Sequence, residues 1–369
     1  MPGSGETVAG TQLAPLTTVQ VGGPAGKYVE AASEEAVVGA VRWADEHGED
    51  LLTIGGGSNL VIADEGYPGT VLRIATSGYS LSGKGSADNA VLLDVQAGQL
   101  WDELVEATVE QGLSGLEALS GIPGLTGATP VQNVGAYGAE VSHTLVDVRT
   151  WDRQEAAIRT FANHELGFGY RDSLLKQTTV NGSPRYVVLA VRFRLQRDQL
   201  SAPIRYTELA RSLGVDVGER APAAEVRREV LRLRASKGMV LDPADRDTFS
   251  TGSFFTNPIV APEVADGLPA DAPRWPSGEG VKLSAAWLID RTGFSKGFGL
   301  EGTGNGTIDG FSVAGGRASL STKHTLAITN RGDAAAADIL AIGRTVRDGV
   351  EHAFGIRLHP EPLLIGCAL

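Results

Sequence analysis

The turn Gly55-Gly56-Gly57-Ser58-Asn59 constrains the fold of this chain more than any other stretch. It follows an apolar, strand-like segment at 50–54 and is followed by another at 60–62. Backbone amides in such a turn can approach a phosphate closely because no Cβ intervenes. A dinucleotide-binding βαβ unit would need a third glycine where Leu60 stands, and a helix rather than a strand after the turn. Both features argue against the doubly wound parallel fold here. Read alone, the turn is by default an ordinary tight connection.

The flanking pattern is mixed. A strand is expected at 27–32 and a helix at 33–47, with Ser33 as N-cap, Glu34 and Glu35 in the first turn and Gly48 past the end. Further strands are expected at 70–74, 92–97, 145–152, 185–195 and 325–330. Helices are expected at 101–111, 225–237, 283–292 and 334–354. Residues 1–13 read as a loose tail and 262–276 as a Pro-rich linker, and composition shifts near residue 240. The fold class is α+β, in more than one part, as 369 residues suggest.

A formal net charge of −12 argues against general binding to nucleic acid or to an anionic membrane. Cys367 is the only cysteine, so no internal disulfide can form, which fits a reducing compartment. The start has neither the basic nor the apolar region of a signal peptide, and no apolar run approaches the roughly 18 residues of a membrane span. A cytoplasmic protein is expected. The six histidines lack metal-ligand spacing, so no metal site is expected.

A second glycine-rich stretch, 121–138, includes Gly121, Pro123, Gly124, Gly127, Ala128, Pro130, Gln132-Asn133 and Gly135-Ala136-Tyr137-Gly138. It suits a segment wrapped around a ligand, or one packed on a helix. Three islands carry polar side chains in apolar or glycine context. In 167–173, Arg171 can offer its fork to a carboxylate or pair with an acid such as Asp172. In 252–258, Ser253 lies in a strand-like apolar run, with no nucleophile elbow around it. In 359–362, Glu361 stands between prolines, either as a proton-donating acid or as an exposed turn residue. Helix 225–237 holds five basic residues, either a solvated face or part of a diphosphate site.

Taken in order, Gly55–Asn59, Gly121 to Gly138, Phe168-Gly-Tyr170-Arg171-Asp-Ser173, Gly252-Ser253-Phe-Phe-Thr-Asn257-Pro258, Ala286-Trp-Leu-Ile-Asp290 and Pro360-Glu361 resemble the UDP-N-acetylenolpyruvoylglucosamine reductase family. The resemblance runs from about Leu16 to Gly366. It implies the FAD-binding fold of the vanillyl-alcohol oxidase type. One FAD-binding part would cover 14–78 and a second 79–240, with 357–369 returning to it. A substrate-binding domain would cover 241–356. Non-covalent FAD would be held by residues 55–59 and by Gly121, Pro123, Gly124, Gly127, Ala128, Pro130, Asn133, Gly135, Ala136, Tyr137 and Gly138.

The implied reaction is NADPH-dependent reduction, through FAD, of an enolpyruvyl ether on a UDP-sugar in peptidoglycan precursor synthesis. Ser253 resembles the family's proton donor, and Arg171 and Glu361 the pair that polarises the substrate carboxylate. Tyr206, in the 203–209 segment, resembles the tyrosine of a loop that closes over substrate. Lys237, Asn257, Tyr170 and His324 resemble further substrate contacts, the last with Lys323 beside it. The partners implied are the UDP-sugar and NADPH, with no obligate protein partner. Two places depart from the pattern. Pro362-Leu363-Leu364 stands where many relatives carry a basic residue, and 302–315 is long and glycine-rich. A flavin oxidase of sugars or hydroxy acids on the same fold is the rival reading, disfavoured because no histidine lies near 55–59.

Overall fold

A computed structural model describes residues 7–82 and 89–369. The chain forms two compact units, each assembled from non-contiguous segments. The first contains residues 25–56 and 67–236 together with the described residues up to Thr11. The second contains 12–24, 57–66 and 237–369.

In the first unit, strands Thr7–Val8, Ala25–Ala31, Tyr67–Ile74 and Leu51–Ile54 form one sheet in that order. Tyr67–Ile74 runs parallel to both of its neighbours. Helix Glu34–Glu46 connects two of these strands and buries Val37, Val41 and Ala44, one apolar stripe at helical spacing. Its N-cap is Ser33, whose side chain accepts from the Ala36 amide at 3.2 Å. Gly48 takes φ +64° beyond the end. The second sheet is antiparallel, in the order Ala157–Ala162, Leu145–Asp152, Tyr186–Arg197, Ala90–Gln96, Tyr79–Ser82. Its core includes Val91, Leu93, Trp101, Leu104, Phe161 and Phe193, all buried.

In the second unit, helix Ala336–Phe354 buries Ile339, Ile342, Val346 and Val350 against Phe254, Phe294 and Phe298. Strand Leu363–Ile365 pairs parallel with Leu60–Ile62. The amides of Ala336 and Ala337, in the first turn of the long helix, donate to Asp64 at 2.7 and 3.1 Å.

Four expectations change. The 1–13 tail falls partly outside the described residues; beyond them, Thr7–Val8 pairs with Tyr28 and Val29, and Leu13 is fully buried. An extended edge strand was available to pair, and that overrides the tail's polar composition. The 262–276 linker contains helix Pro262–Asp266, with Pro at N1, and strand Arg274–Ser277. The Arg274 guanidinium ties the two by donating to the carbonyls of Ala265 at 2.9 Å and Pro269 at 2.8 Å. The basic helix, Ala223–Ser236, is a solvated face only in part: Arg228 and Arg232 are exposed, but Arg227 and Arg234 are buried. Ser253 lies in irregular backbone between bends at Gly252 and Phe254 rather than in a strand. The chain passes between the units at 11/12, 24/25, 56/57, 66/67 and 236/237.

Replacing Asp64 with Ala removes two acceptors from a helix N-terminus. The expected cost is about 1–2 kcal/mol of unfolding free energy, read from urea denaturation, with the slope of the transition unchanged.

Candidate active site

Two glycine-rich stretches meet in the first unit. A Cβ placed on Gly56 would lie 2.7 Å from Gly124 Cα, a distance no side chain tolerates. At the other end of the same turn, in the second unit, Gly57 has φ +61° and its Cβ would collide with the Leu16 carbonyl. These glycines are thus required by the close approach of main chain to main chain. Main-chain amides without intervening side chains suit the diphosphate of a dinucleotide, so the residues present fit FAD.

Asn133 is buried and turned inward. Its Nδ2 donates to Glu140 Oε2 at 2.8 Å and the Gly169 carbonyl at 3.1 Å, and its Oδ1 accepts from the Ser142 amide at 3.2 Å. It therefore braces the 133–142 loop against the Arg171 island. Arg171 adds a second tie, its Nη2 donating to the Gly135 carbonyl at 2.8 Å. Among the described residues, seven non-glycine positions have positive φ, and Asn133, Tyr137 and Arg171 are three of them, at +43°, +51° and +55°. Such conformations cost of order 1–3 kcal/mol and collect at functional sites. Tyr170 stacks under the Arg171 guanidinium, 5.6 Å from ring centroid to Cζ. Tyr137 meets Tyr206 edge-on at 5.5 Å. Burial, with little relief from its neighbours, pushes the Tyr137 phenol up to about 12. Tyr206 itself is 43% exposed and forms the N-cap of helix Thr207–Leu213.

The segments that carry Ser253 and Glu361 pair in the second unit. Phe255 and Pro360 form an antiparallel bridge, the Glu361 amide donates to the Phe254 carbonyl at 2.9 Å, and the Thr256 amide donates to the His359 carbonyl at 3.1 Å. Phe254 and Phe255, both fully buried, anchor the Ser253 segment in the core. Asn59 holds the other side, its Nδ2 donating to the Glu361 carbonyl at 3.3 Å while its own carbonyl accepts from the Leu363 amide at 2.9 Å. Arg171 belongs to the first unit and these two to the second.

The remaining candidates are placed as follows. Lys237 directly follows the basic helix. Asn257 Oδ1 accepts from the Ala285 amide at 3.0 Å, fixing the start of helix Ala285–Arg291. The His324 amide donates to Ser321 Oγ at 3.2 Å, and Lys323 is ion-paired with Asp245 at 2.5 Å. Among the described residues no histidine, cysteine and carboxylate cluster could hold a metal.

Two supports escaped the sequence. Asp102 receives both arms of Arg227, at 2.6 and 3.0 Å, and the Gly121 amide at 2.5 Å. Burial raises the Asp102 carboxyl, but the Arg227 fork and the Gly121 amide outweigh it and hold the group below its ordinary value. Asp247, buried, receives Arg331 and the Thr322 amide, each at 2.8 Å. The partners lie 125, 84 and 75 residues apart, and no local spacing announces them.

Residues 242–365 match the family described as UDP-N-acetylenolpyruvoylglucosamine reductase, C-terminal domain, and residues 25–160 match an FAD binding domain. The UDP-N-acetylenolpyruvoylglucosamine reductase of Saccharopolyspora erythraea is 52% identical over 373 residues, covering 98% of this chain and 96% of that protein. That of Nocardia farcinica is 52% identical, covering 100% of this chain and 92% of that protein. The crystal structure of the Thermus caldophilus enzyme superposes with a TM-score of 0.63 at 27% identity, covering 98% of each chain.

Replacing Arg227 with Met leaves Asp102 partly buried without its cation. The Asp102 carboxyl is depressed in the folded state, so its contribution is present above about pH 4 and is lost as pH falls through the folded value. The variant is expected to be about 1–2 kcal/mol less stable at pH 7, the 37% exposure of Asp102 screening the pair. The gap should narrow in denaturation curves taken below about pH 4.

Proposed function

The chain belongs to the UDP-N-acetylenolpyruvoylglucosamine reductase family, FAD-dependent oxidoreductases of peptidoglycan precursor synthesis that use NADPH, and we propose that Ser253, Arg171 and Glu361 carry its chemistry. The reaction adds hydride to the terminal vinyl carbon of the enolpyruvyl ether and a proton to the adjacent carbon. FAD, held by the glycine-rich stretches, would supply the hydride-transfer chemistry, with NADPH as the reductant. What this chain must then do is stabilise negative charge as it develops towards the substrate carboxylate, and deliver one proton.

Arg171 supplies a fixed cationic fork for that carboxylate, with its backbone held in a left-handed conformation and its Nη2 tied to Gly135. Glu361, in its protonated form, offers a second donor to the same charge. Ser253 Oγ–H gives the proton to the carbon. A serine hydroxyl is a weak acid, but an enediolate is a strong base, so the transfer is feasible. The observation that carries the assignment of Ser253 and Glu361 is their shared backbone clasp, the 255–360 bridge with the Glu361 amide on the Phe254 carbonyl. Two donors fixed to one another through main chain need little reorganisation during the reaction.

In the same proposal, FAD is held by residues 55–59 and by the 121–138 stretch, within the parts spanning 14–78 and 79–240, with 357–369 returning to the second, and 241–356 forms the substrate domain. Asn59 and Asn133 contribute mainly by bracing Glu361 and the 133–142 loop. Lys237 and Asn257 serve the UDP diphosphate, Tyr170 and His324 make further substrate contacts, and Tyr206 closes over the substrate. No helix among the described residues is long and apolar enough to cross a membrane. We place the enzyme in the cytoplasm, acting without nucleic acid, membrane or an obligate protein partner.

Ser253→Ala should leave bleaching of the flavin absorbance by NADPH intact. Its return on adding UDP-N-acetylglucosamine enolpyruvate should slow by about 10²–10³, the usual scale for losing one transition-state donor. Equal slowing of both half-reactions would remove Ser253 from the proton-donor role.

A further inference from the structure

On the first unit a cavity of about 600 Å³ opens among the Tyr186–Arg197 strand, the turn after Leu113–Ser114 and residues 202–226. That volume accommodates a nucleotide-sized ligand. Arg194, Arg197, Arg205 and Arg220 line it, against the carboxylates of Glu117 and Asp198. None of these arginines is among the residues assigned to FAD or substrate.

Both carboxylates are already engaged. Glu117 is 2% exposed and accepts from the amides of Gly115 at 2.6 Å and Ala202 at 2.7 Å. Asp198 accepts from Arg220 at 2.8 Å and from the Leu200 amide at 3.0 Å. The lining thus keeps an excess of two positive charges, in a chain whose net charge is −12. General basicity does not explain it, because the rest of the molecule repels anions. Planar guanidinium forks gathered in a concavity match the geometry of phosphate oxygens. Leu209 and Val226, both buried, give the cavity an apolar flank.

The cavity wall is continuous with the segment that carries Tyr206. Ile204 and Arg205 line the cavity and immediately precede that tyrosine. Glu117 holds the start of the segment through the Ala202 amide. A Cβ on Gly138 would lie 2.9 Å from Arg205 Cβ, so the 137–138 turn packs directly on it. Tyr137 lines the cavity and also meets the Tyr206 ring. We infer that this cavity is a binding site for a phosphorylated small molecule, and that its occupancy orders residues 203–206. Any effect on turnover rests on the reading of Tyr206 as a substrate lid; binding and ordering do not.

The test is calorimetry of the FAD-loaded protein with inorganic pyrophosphate, alongside hydrogen exchange of the 203–209 segment. Saturable binding is expected, with slower exchange at 203–209. Both should be lost or weakened at least about tenfold in Arg194→Ala/Arg197→Ala, whose two side chains are exposed on the strand end. Arg205→Ala, also exposed, gives the same reading from a different element if the double variant loses flavin or thermal stability. No saturation up to millimolar pyrophosphate would overturn the inference. So would unchanged affinity in these variants, binding without slower exchange, or binding abolished by Lys237→Ala instead, which would assign the anion to the substrate diphosphate position. None of these outcomes bears on the two half-reactions that test Ser253.

Discussion

The parallel pairing of Leu363–Ile365 with Leu60–Ile62 is the interaction on which the second unit depends. It joins segments about 300 residues apart, a closure that costs about 5 kcal/mol in chain entropy. Val61, Ile62 and Ile365 are all buried by it, which returns a similar amount at about 2 kcal/mol per side chain. The pairing is therefore sustained by what packs around it. Asp64, two residues beyond one strand, receives the first amides of the long helix. Asn59, one residue before it, holds the Glu361 carbonyl and the Leu363 amide. The acid of the proposed chemistry thus sits on a structural joint, where its backbone cannot drift without opening the sheet.

The first unit reaches similar fixity by a different route. Its Arg171 island and its 133–142 loop are held in left-handed conformations that few side chains adopt. Asn133 and Arg171 spend hydrogen bonds on the neighbouring main chain to keep them there. Charge is used in the same way. Arg227 is buried against Asp102, which in turn fixes the Gly121 amide at the head of the glycine-rich stretch. A helix that reads as a basic face is in part a buried strut.

Legibility followed the range of the physics. Ser33, the apolar stripe behind it and Gly48 are neighbours in sequence, and the helix between them appears at nearly the expected bounds. The strand at 60–62 and the one at 145–152 appear as expected. Where the deciding partner is remote, the pattern misleads. Thr7–Val8 becomes a strand because an edge lies next to it, and 262–276 is ordered by the Arg274 guanidinium. Ser253 leaves the strand pattern because Phe254 and Phe255 turn to the core and Gly252 takes φ +73°.

The sequence by itself determined the chemistry available and the family: six short motifs in order, glycines where main chain must come close, one cysteine, a strongly acidic balance and no metal-ligand spacing. Residue type and order are enough for that, because they limit which groups exist to react or to bind. Tertiary structure alone decided what those groups do to one another. It turned Asn59 and Asn133 into braces, paired Arg227 with Asp102, clasped Glu361 to the Ser253 segment, and gathered four arginines around a cavity in an acidic protein. Each of these depends on contacts between residues far apart in the chain, and such contacts leave no periodicity or spacing for a linear reading to find.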